Sequence, residues 1–235
     1  MDAISEAPQD YEDGRTHLRR ETLEGAFELR GVSFRYEDDG PLTLDIPGVA
    51  IKRGQRVAVL GARLVGQATL LKQLDGKSVP TSGHERDDGV ELCLRENLNL
   101  TLLERDDERM FAALDFAGLG PFVRGHHKGL DLDIRDGGAG LSVGQRQSLG
   151  WARLWLQDPT VCLLDEPTAA LDQTLEATLV SRLETWLQRR TVIIATHRVP
   201  ILSLTERTLI LQNGRMAIDG PRDQVMAHLR KGEAV

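Results

Sequence analysis

Two short stretches of the chain carry residue types that handle phosphate. The first is Gly61-Ala62-Arg63-Leu64-Val65-Gly66-Gln67-Ala68-Thr69. Its glycines have the spacing of the phosphate-cradling pattern G-x-x-x-x-G-K-[ST], in which successive backbone N–H groups wrap an anion. Amides at a helix N-terminus bind phosphate without help from any side chain. Here the lysine position holds Gln67 and the magnesium-hydroxyl position holds Ala68. The second stretch is Val161-Cys162-Leu163-Leu164-Asp165-Glu166, an apolar run ending in two carboxylates. At a buried strand end the first can hold Mg²⁺ directly or through water. The second can polarise a water molecule as general base. His197 closes the next apolar run, Thr191 to Thr196. Taken singly these features are common: a glycine-rich turn, an Asp-Glu pair at a strand end and a lone histidine each occur in many proteins without chemistry.

The elements that must position them are legible in the apolar pattern. Arg56 to Leu60, ended by Gly61, predicts a buried parallel strand. Leu70, Leu71 and Leu74 predict a helix over Ala68–Leu74, so the first stretch reads as strand, loop, helix. Residues 76–95 are polar and turn-rich. Met110, Phe111, Leu114 and Phe116 predict a helix over 107–123 that Gly118 and Gly120-Pro121 bring to an end. A hinge, Gly137 to Gly140, precedes a helix from Val143 to Gln157. Val161–Leu164 and Thr191–Thr196 read as two further buried strands. Between them Leu175, Leu179, Leu183 and Leu187 mark a helix over Leu171–Arg189. Asn213-Gly214 joins Thr208–Gln212 to Arg215–Ile218 as a hairpin, and the last helix runs from Arg222 to Arg230. Upstream, Phe27, Leu29 and Val32 to Tyr36 form short strand-like runs. Leu42–Ile46 and Val49–Ile51 continue them around Pro47-Gly48. Strands alternating with helices predict an α/β domain with a mainly parallel sheet, whose ligands sit at the carboxyl ends of the strands.

Composition bounds the rest. At 235 residues, with 40% hydrophobic and 28% charged residues, the chain can fold as one large domain or two small ones and is not disordered over most of its length. No apolar run approaches the roughly 18 residues needed to span a bilayer, and the acidic start, Met1 to Tyr11, has no apolar core of a signal peptide. A net charge of −7 weighs against nucleic acid as main partner. Cys93 and Cys162 read as free thiols of a reducing compartment. Residues 1–22 read as a polar, flexible lead-in. The pair His126-His127 lacks neighbouring metal ligands and reads as solvated loop, as does the charge run Glu104–Arg109. Trp151 and Trp155 read as core or partner-facing residues.

The order of blocks along the chain is more specific than any one of them. Leu141-Ser142-Val143-Gly144-Gln145 precedes a helix, Leu163–Glu166 follows, then Ala170-Leu171-Asp172, then His197. This order resembles the ATP-binding cassette (ABC) ATPase family, over about residues 22 to 230. Leu141–Gln145 looks like its signature motif, Leu163–Glu166 like Walker B, Ala170–Asp172 like the D-loop and His197 like the switch histidine. Leu23–Tyr36 and Asp133–Gly138 are similar to exporter-type cassettes of the type I secretion and peptide-toxin lineage. The resemblance implies an ABC ATPase core with a mainly parallel central sheet, an N-terminal antiparallel β region and a helical subdomain over about 96–157, all within residues 23–235.

It also implies roles. Tyr36 matches the residue that stacks on adenine, and Gly61–Thr69 would surround the phosphates of ATP. Asp165 would hold Mg²⁺, Glu166 would act as base, and His197 would contact the γ-phosphate. Ser142, Gly144 and Gln145 would face a nucleotide held by a second cassette. The implied protein is an ATP-binding subunit at the cytoplasmic face of a membrane, paired with a second cassette and a transmembrane subunit, with no nucleic acid. Four departures oppose full activity: Gln67, Ala68, Val143 in place of a signature glycine, and a stretch over 75–95 too short to show a Q-loop. ATP hydrolysis is therefore expected to be weak or absent in the chain alone. A non-catalytic regulatory module and a piece of a longer transporter stay open as alternatives. An ABC protein of translation or DNA repair is disfavoured by the exporter-like lead-in and the acidic charge.

Overall fold

The computed structural model describes residues 25–34, 44–61, 92–99, 106–134, 138 and 140–231. The lead-in 1–22, the helix expected over Ala68–Leu74 and the whole of 76–91 lie outside them. Nine strands are described: β1 (Phe27–Phe34), β2 (Leu44–Ile51), β3 (Arg56–Gly61), β4 (Leu92–Cys93), β5 (Asp133–Ile134), β6 (Val161–Asp165), β7 (Thr191–Ala195), β8 (Arg207–Gln212) and β9 (Arg215–Pro221). Seven of them form one sheet in the order β1-β2-β9-β8-β3-β7-β6. β3 pairs in parallel with both β7 and β8, and β6 pairs in parallel with β7. The β1–β2 and β8–β9 pairs are antiparallel. The fold is thus α/β with a mainly parallel sheet and an antiparallel region fed by the N-terminal strands.

The reason β7 reads as an unbroken apolar run is visible in its packing. Thr191 to Ala195 are all at most 1% exposed. Val192 and Ile194 enter one apolar cluster, with Leu94, Met110, Leu114, Leu164, Leu179 and Leu183. Ile193 and Ala195 enter another on the opposite face, with Ile51, Val57, Val59, Leu209 and Leu211. A central parallel strand covered on both faces has no polar side to show. Leu179, Leu183 and Leu187 are each 0% exposed, and each such burial contributes roughly 1.5–3 kcal/mol.

The described helices are α1 (Leu94–Leu98), α2 (Asp107–Phe116), α3 (Gly120–Gly125), α4 (Val143–Gln157), α5 (Gln173–Trp186), α6 (Val199–Leu202) and α7 (Arg222–Arg230). The single helix expected over 107–123 is two. Gly118 takes φ +78° and a Cβ there would run into Leu175, so the chain turns at the only residue type that fits. It restarts at Gly120 with Pro121 in the first turn, where proline is tolerated. α5 is shorter than expected, because Asp172 caps it through its side chain to Leu175 N–H and Leu187 ends it. β2 runs through Pro47 without a break, for it pairs with β9 only at Asp45 and a missing N–H is tolerated there. The short β4–β5 ladder and α1 carry no periodicity that sequence could reveal. The hairpin turn is as expected, with Asn213 at φ +50° and Gly214 at +78°. Among the described residues no helix is long and apolar enough to cross a membrane.

Candidate functional site

Parallel pairing alone gathers the residues of interest. Asp165 on β6 lies beside Ala195 on β7, and Ala195 lies beside Val59 on β3. One or two residues further on come Glu166, His197 and Gly61. The carboxyl ends of three adjacent parallel strands therefore share one edge of the sheet. Asp165 is exposed there. Glu166, which follows it, takes φ +41°. A non-glycine residue in the left-handed region costs of order 1–3 kcal/mol and persists where its surroundings over-determine it.

Those surroundings tie down most of Glu166. Its N–H donates to Ala195 O at 2.8 Å. Its carbonyl accepts from Gln147 Nε2 at 3.0 Å and from Ala169 N–H at 3.2 Å, and its Oε2 accepts from Thr196 Oγ1 at 3.0 Å. Oε1 is different. It lies 2.6 Å from Nδ1 of His197 in an ion-pair contact, buried and without an aligned hydrogen bond. The Glu166 side chain keeps 17% exposure and His197 keeps 79%. One oxygen is thus fixed by Thr196, while the other is buried against the imidazole of His197 without an aligned hydrogen bond. A buried acceptor left in that condition calls for a donor, and the geometry suits abstraction of a proton from water.

The segment Leu141–Gln145 starts α4. Ser142 is the N-cap: its Oγ accepts from Gln145 N–H at 3.1 Å, while Ser142 N–H donates to Gln145 Oε1 at 2.8 Å. This reciprocal pair satisfies two of the amides that a helix start would leave bare. It leaves Ser142 exposed and commits the Gln145 side chain to the cap. Val143 is 61% exposed. Gly144 sits under the 170 loop, where a Cβ would come within 2.8 Å of Ala170 O.

Sequence reasoning did not single out the residues that brace this site. Gln147 joins α4 to Glu166 and also accepts from Ala170 N–H at 2.9 Å. Trp151 Nε1 donates to Pro167 O at 2.8 Å, and Trp151 is core as expected. Buried Glu176 accepts from Arg198 Nε and Nη2 at 2.7 and 2.6 Å and from Thr168 Oγ1 at 2.6 Å. Burial pushes the Glu176 carboxyl up, but the guanidinium and the hydroxyl outweigh it and hold it below its ordinary value. Arg198 N–H in turn donates to Thr196 Oγ1 at 3.1 Å, so the bonds run unbroken from Glu176 to Glu166. The spacing of Gly144, Gln147 and Trp151 on one helix face was the available signal.

Of the other expected site residues, Gly61 ends β3, while Tyr36 and Ala62, Arg63, Leu64, Val65, Gly66, Gln67, Ala68 and Thr69 lie outside the described residues. Both cysteines are free thiols. Burial pushes the Cys162 thiol up to about 12, which keeps it protonated and inert. Among the described residues no group of three or more His, Cys, Asp or Glu gathers as a metal cluster, and His126 makes tilted ring contacts with Phe122 and His127.

Fold and site together define an α/β protein whose candidate chemistry lies at the carboxyl edge of a mainly parallel sheet. A family profile described as ABC transporter matches residues 44–169, more than half of the 235 residues, and the chain belongs to that family. It is similar to an ATP-dependent lipid A-core flippase of Neisseria gonorrhoeae, 29% identical over 95% of this chain and 40% of the flippase. It is also similar to a leukotoxin translocation ATP-binding protein of a Pasteurella haemolytica-like species, at 26% over 95% of this chain and 35% of that one. A toxin RTX-III translocation ATP-binding protein of Actinobacillus pleuropneumoniae is 28% identical over 86% and 32%. The chain spans about a third to two fifths of the length of these relatives. Among solved structures, a bacterial Atm1-family ABC exporter with ATP bound superposes with a TM-score of 0.74 over 90% of this chain and 42% of that one, at 21% identity. That likeness speaks for the fold.

Proposed function

We propose that residues 23–235 are the ATP-binding unit of an exporter-type ABC transporter, with a helical subdomain over about 96–157. The unit would bind ATP and Mg²⁺, pair with a second cassette, and couple to a transmembrane subunit at the cytoplasmic face of a membrane. The observation that carries this reading is the carboxylate of Glu166 at the common edge of β3, β6 and β7, held by Thr196 at one oxygen and 2.6 Å from His197 Nδ1 at the other.

The residues fit that ligand in part. Buried Oε1 of Glu166 asks for a donor, and exposed Asp165 at the strand end suits a hard cation. Bound ATP and Mg²⁺ would supply a transferable phosphoryl group with its charge partly neutralised. Oε1 of Glu166 would take the proton of the attacking water, Thr196 would keep the other oxygen from rotating, and His197 would orient the water from the solvent side. Ser142, Gly144 and the first turn of α4 would close over a nucleotide held by the second cassette. Tyr36 and Gly61–Thr69 would hold adenine and phosphates by stacking and backbone amides. The loop lacks the lysine charge and the hydroxyl ligand, and loss of such a contact typically costs about 3 kcal/mol of transition-state stabilisation. The same two positions, Gln67 and Ala68, favour a second reading, in which this cassette holds a dimer and lends its signature to a competent partner. ATP turnover by the purified chain, with and without a cassette that has an intact phosphate loop, decides between them. Turnover only in the mixture supports the lending role, and family-rate turnover by the chain alone contradicts it.

A further inference from the structure

We infer that Gln147 is a positioning residue, the single side chain through which the exposed first turn of α4 sets both the backbone of Glu166 and the loop that follows it. The inference rests on the reading of Glu166 as general base. Its amide group is used at both ends: Nε2 donates to Glu166 O at 3.0 Å and Oε1 accepts from Ala170 N–H at 2.9 Å. It is flanked on the same helix face by Gly144, whose missing Cβ lets Ala170 O approach, and by Trp151, whose indole N–H holds Pro167 O. Positions three and four apart on a helix line one face, so Gly144, Gln147 and Trp151 form a continuous seat for residues 166–170.

Within this seat the amide is the group that hydrogen-bonds to Glu166. The carbonyl it holds belongs to the residue whose φ is +41°, a conformation that needs an outside constraint. The other three polar groups of Glu166 are addressed from β7 and its extension: Ala195, Thr196 and His197. Gln147 therefore supplies the hydrogen bond by which α4 reaches Glu166 among the described residues. Val143, exposed at the start of α4, and the Ser142 hydroxyl face outward one turn away. A second cassette pressing on that turn would move Ala170 and Glu166 with it.

The test separates the donor from the acceptor. Gln147→Leu removes both bonds, and Gln147→Glu keeps an acceptor for Ala170 N–H while removing the donor to Glu166 O. Hydrogen exchange on the whole chain reads the bonding. The Ala170 amide should exchange about tenfold faster or more in Gln147→Leu and at the parent rate in Gln147→Glu, with Val57–Val59 unchanged in both. Phosphate release from ATP, measured with labelled nucleotide over hours, reads the chemistry in a parent carrying Gln67→Lys, Ala68→Ser and Val143→Gly. Both Gln147 variants should lower kcat about tenfold while KM for ATP changes less than about twofold. Unchanged exchange at Ala170 in Gln147→Leu overturns the inference. So does a kcat equal to the parent's when the parent turns over ATP. A parent that releases no phosphate contradicts the ATPase reading itself and removes the inference with it.

Discussion

Thr196 Oγ1 donates to one carboxylate oxygen of Glu166 at 3.0 Å and accepts from Arg198 N–H at 3.1 Å, so a single buried hydroxyl fixes the Glu166 carboxylate and the chain that leaves His197. The consequence is that Glu166 cannot turn its other oxygen away from His197 without breaking a bond. Thr196→Val keeps the shape and removes both bonds. It should lower stability by about 1–3 kcal/mol, the cost of a buried N–H and a carboxylate oxygen left unmatched, read as a shift in the denaturant midpoint. Thr196→Ser should keep most of the stability.

The phosphate loop should respond to repair in affinity before turnover. Gln67→Lys with Ala68→Ser restores a charge-assisted contact to phosphate and one magnesium ligand, both of which act on the bound ground state. Isothermal titration should show tighter ATP binding than the parent chain, whose affinities for ATP and ADP should be similar. Turnover should stay slow until Val143→Gly and a grafted Q-loop are added. If the two substitutions alone give the rate of an intact cassette, the reading of residues 75–95 as lacking a Q-loop is wrong.

The Glu176–Arg198 pair should make stability acid-sensitive. The folded-state carboxyl is held below its ordinary value, so its contribution is fully present above the unfolded value of about 4.3. That contribution is lost as pH falls through the lower folded value. Glu176→Gln should flatten that part of the pH–stability curve. Arg198→Ala should cost about 2 kcal/mol, less than the roughly 3–5 kcal/mol of a fully buried pair, because Arg198 keeps 27% exposure. A pH profile from 3 to 7 for parent and variants checks both.

Gly144→Ala should strain the contact between α4 and the loop above it. The added Cβ would stand 2.8 Å from Ala170 O, a backbone atom that cannot rotate away. Overpacking of this kind typically costs about 1–3 kcal/mol. Chemical denaturation of the variant reads that cost, and a midpoint equal to the parent's would contradict the contact.

Where apolar runs were long, sequence and structure agree closely. The α4 expectation, Val143 to Gln157, matches residue for residue, because Ser142 and Gln145 form a capping pair that can be read locally. β3, β6 and β7 were legible because strands buried on both faces carry no alternation. The break between α2 and α3 was not, since what forbids a side chain at Gly118 is Leu175 on α5, a tertiary neighbour. The bracing residues Gln147, Thr196 and Glu176 were missed for a related reason. Their types are ordinary, and only the fold reveals that each bonds to residues distant in sequence.

The proposed function turns on Glu166 acting as general base in a chain whose phosphate-loop lysine and hydroxyl positions hold Gln67 and Ala68. The most direct measurement is ATP-dependent phosphate release by the chain carrying Gln67→Lys, Ala68→Ser and Val143→Gly, compared with the same chain carrying Glu166→Gln as well. The account predicts slow but measurable release that falls by about 100-fold or more when the base is removed. Equal release with and without the Glu166 carboxylate would contradict it.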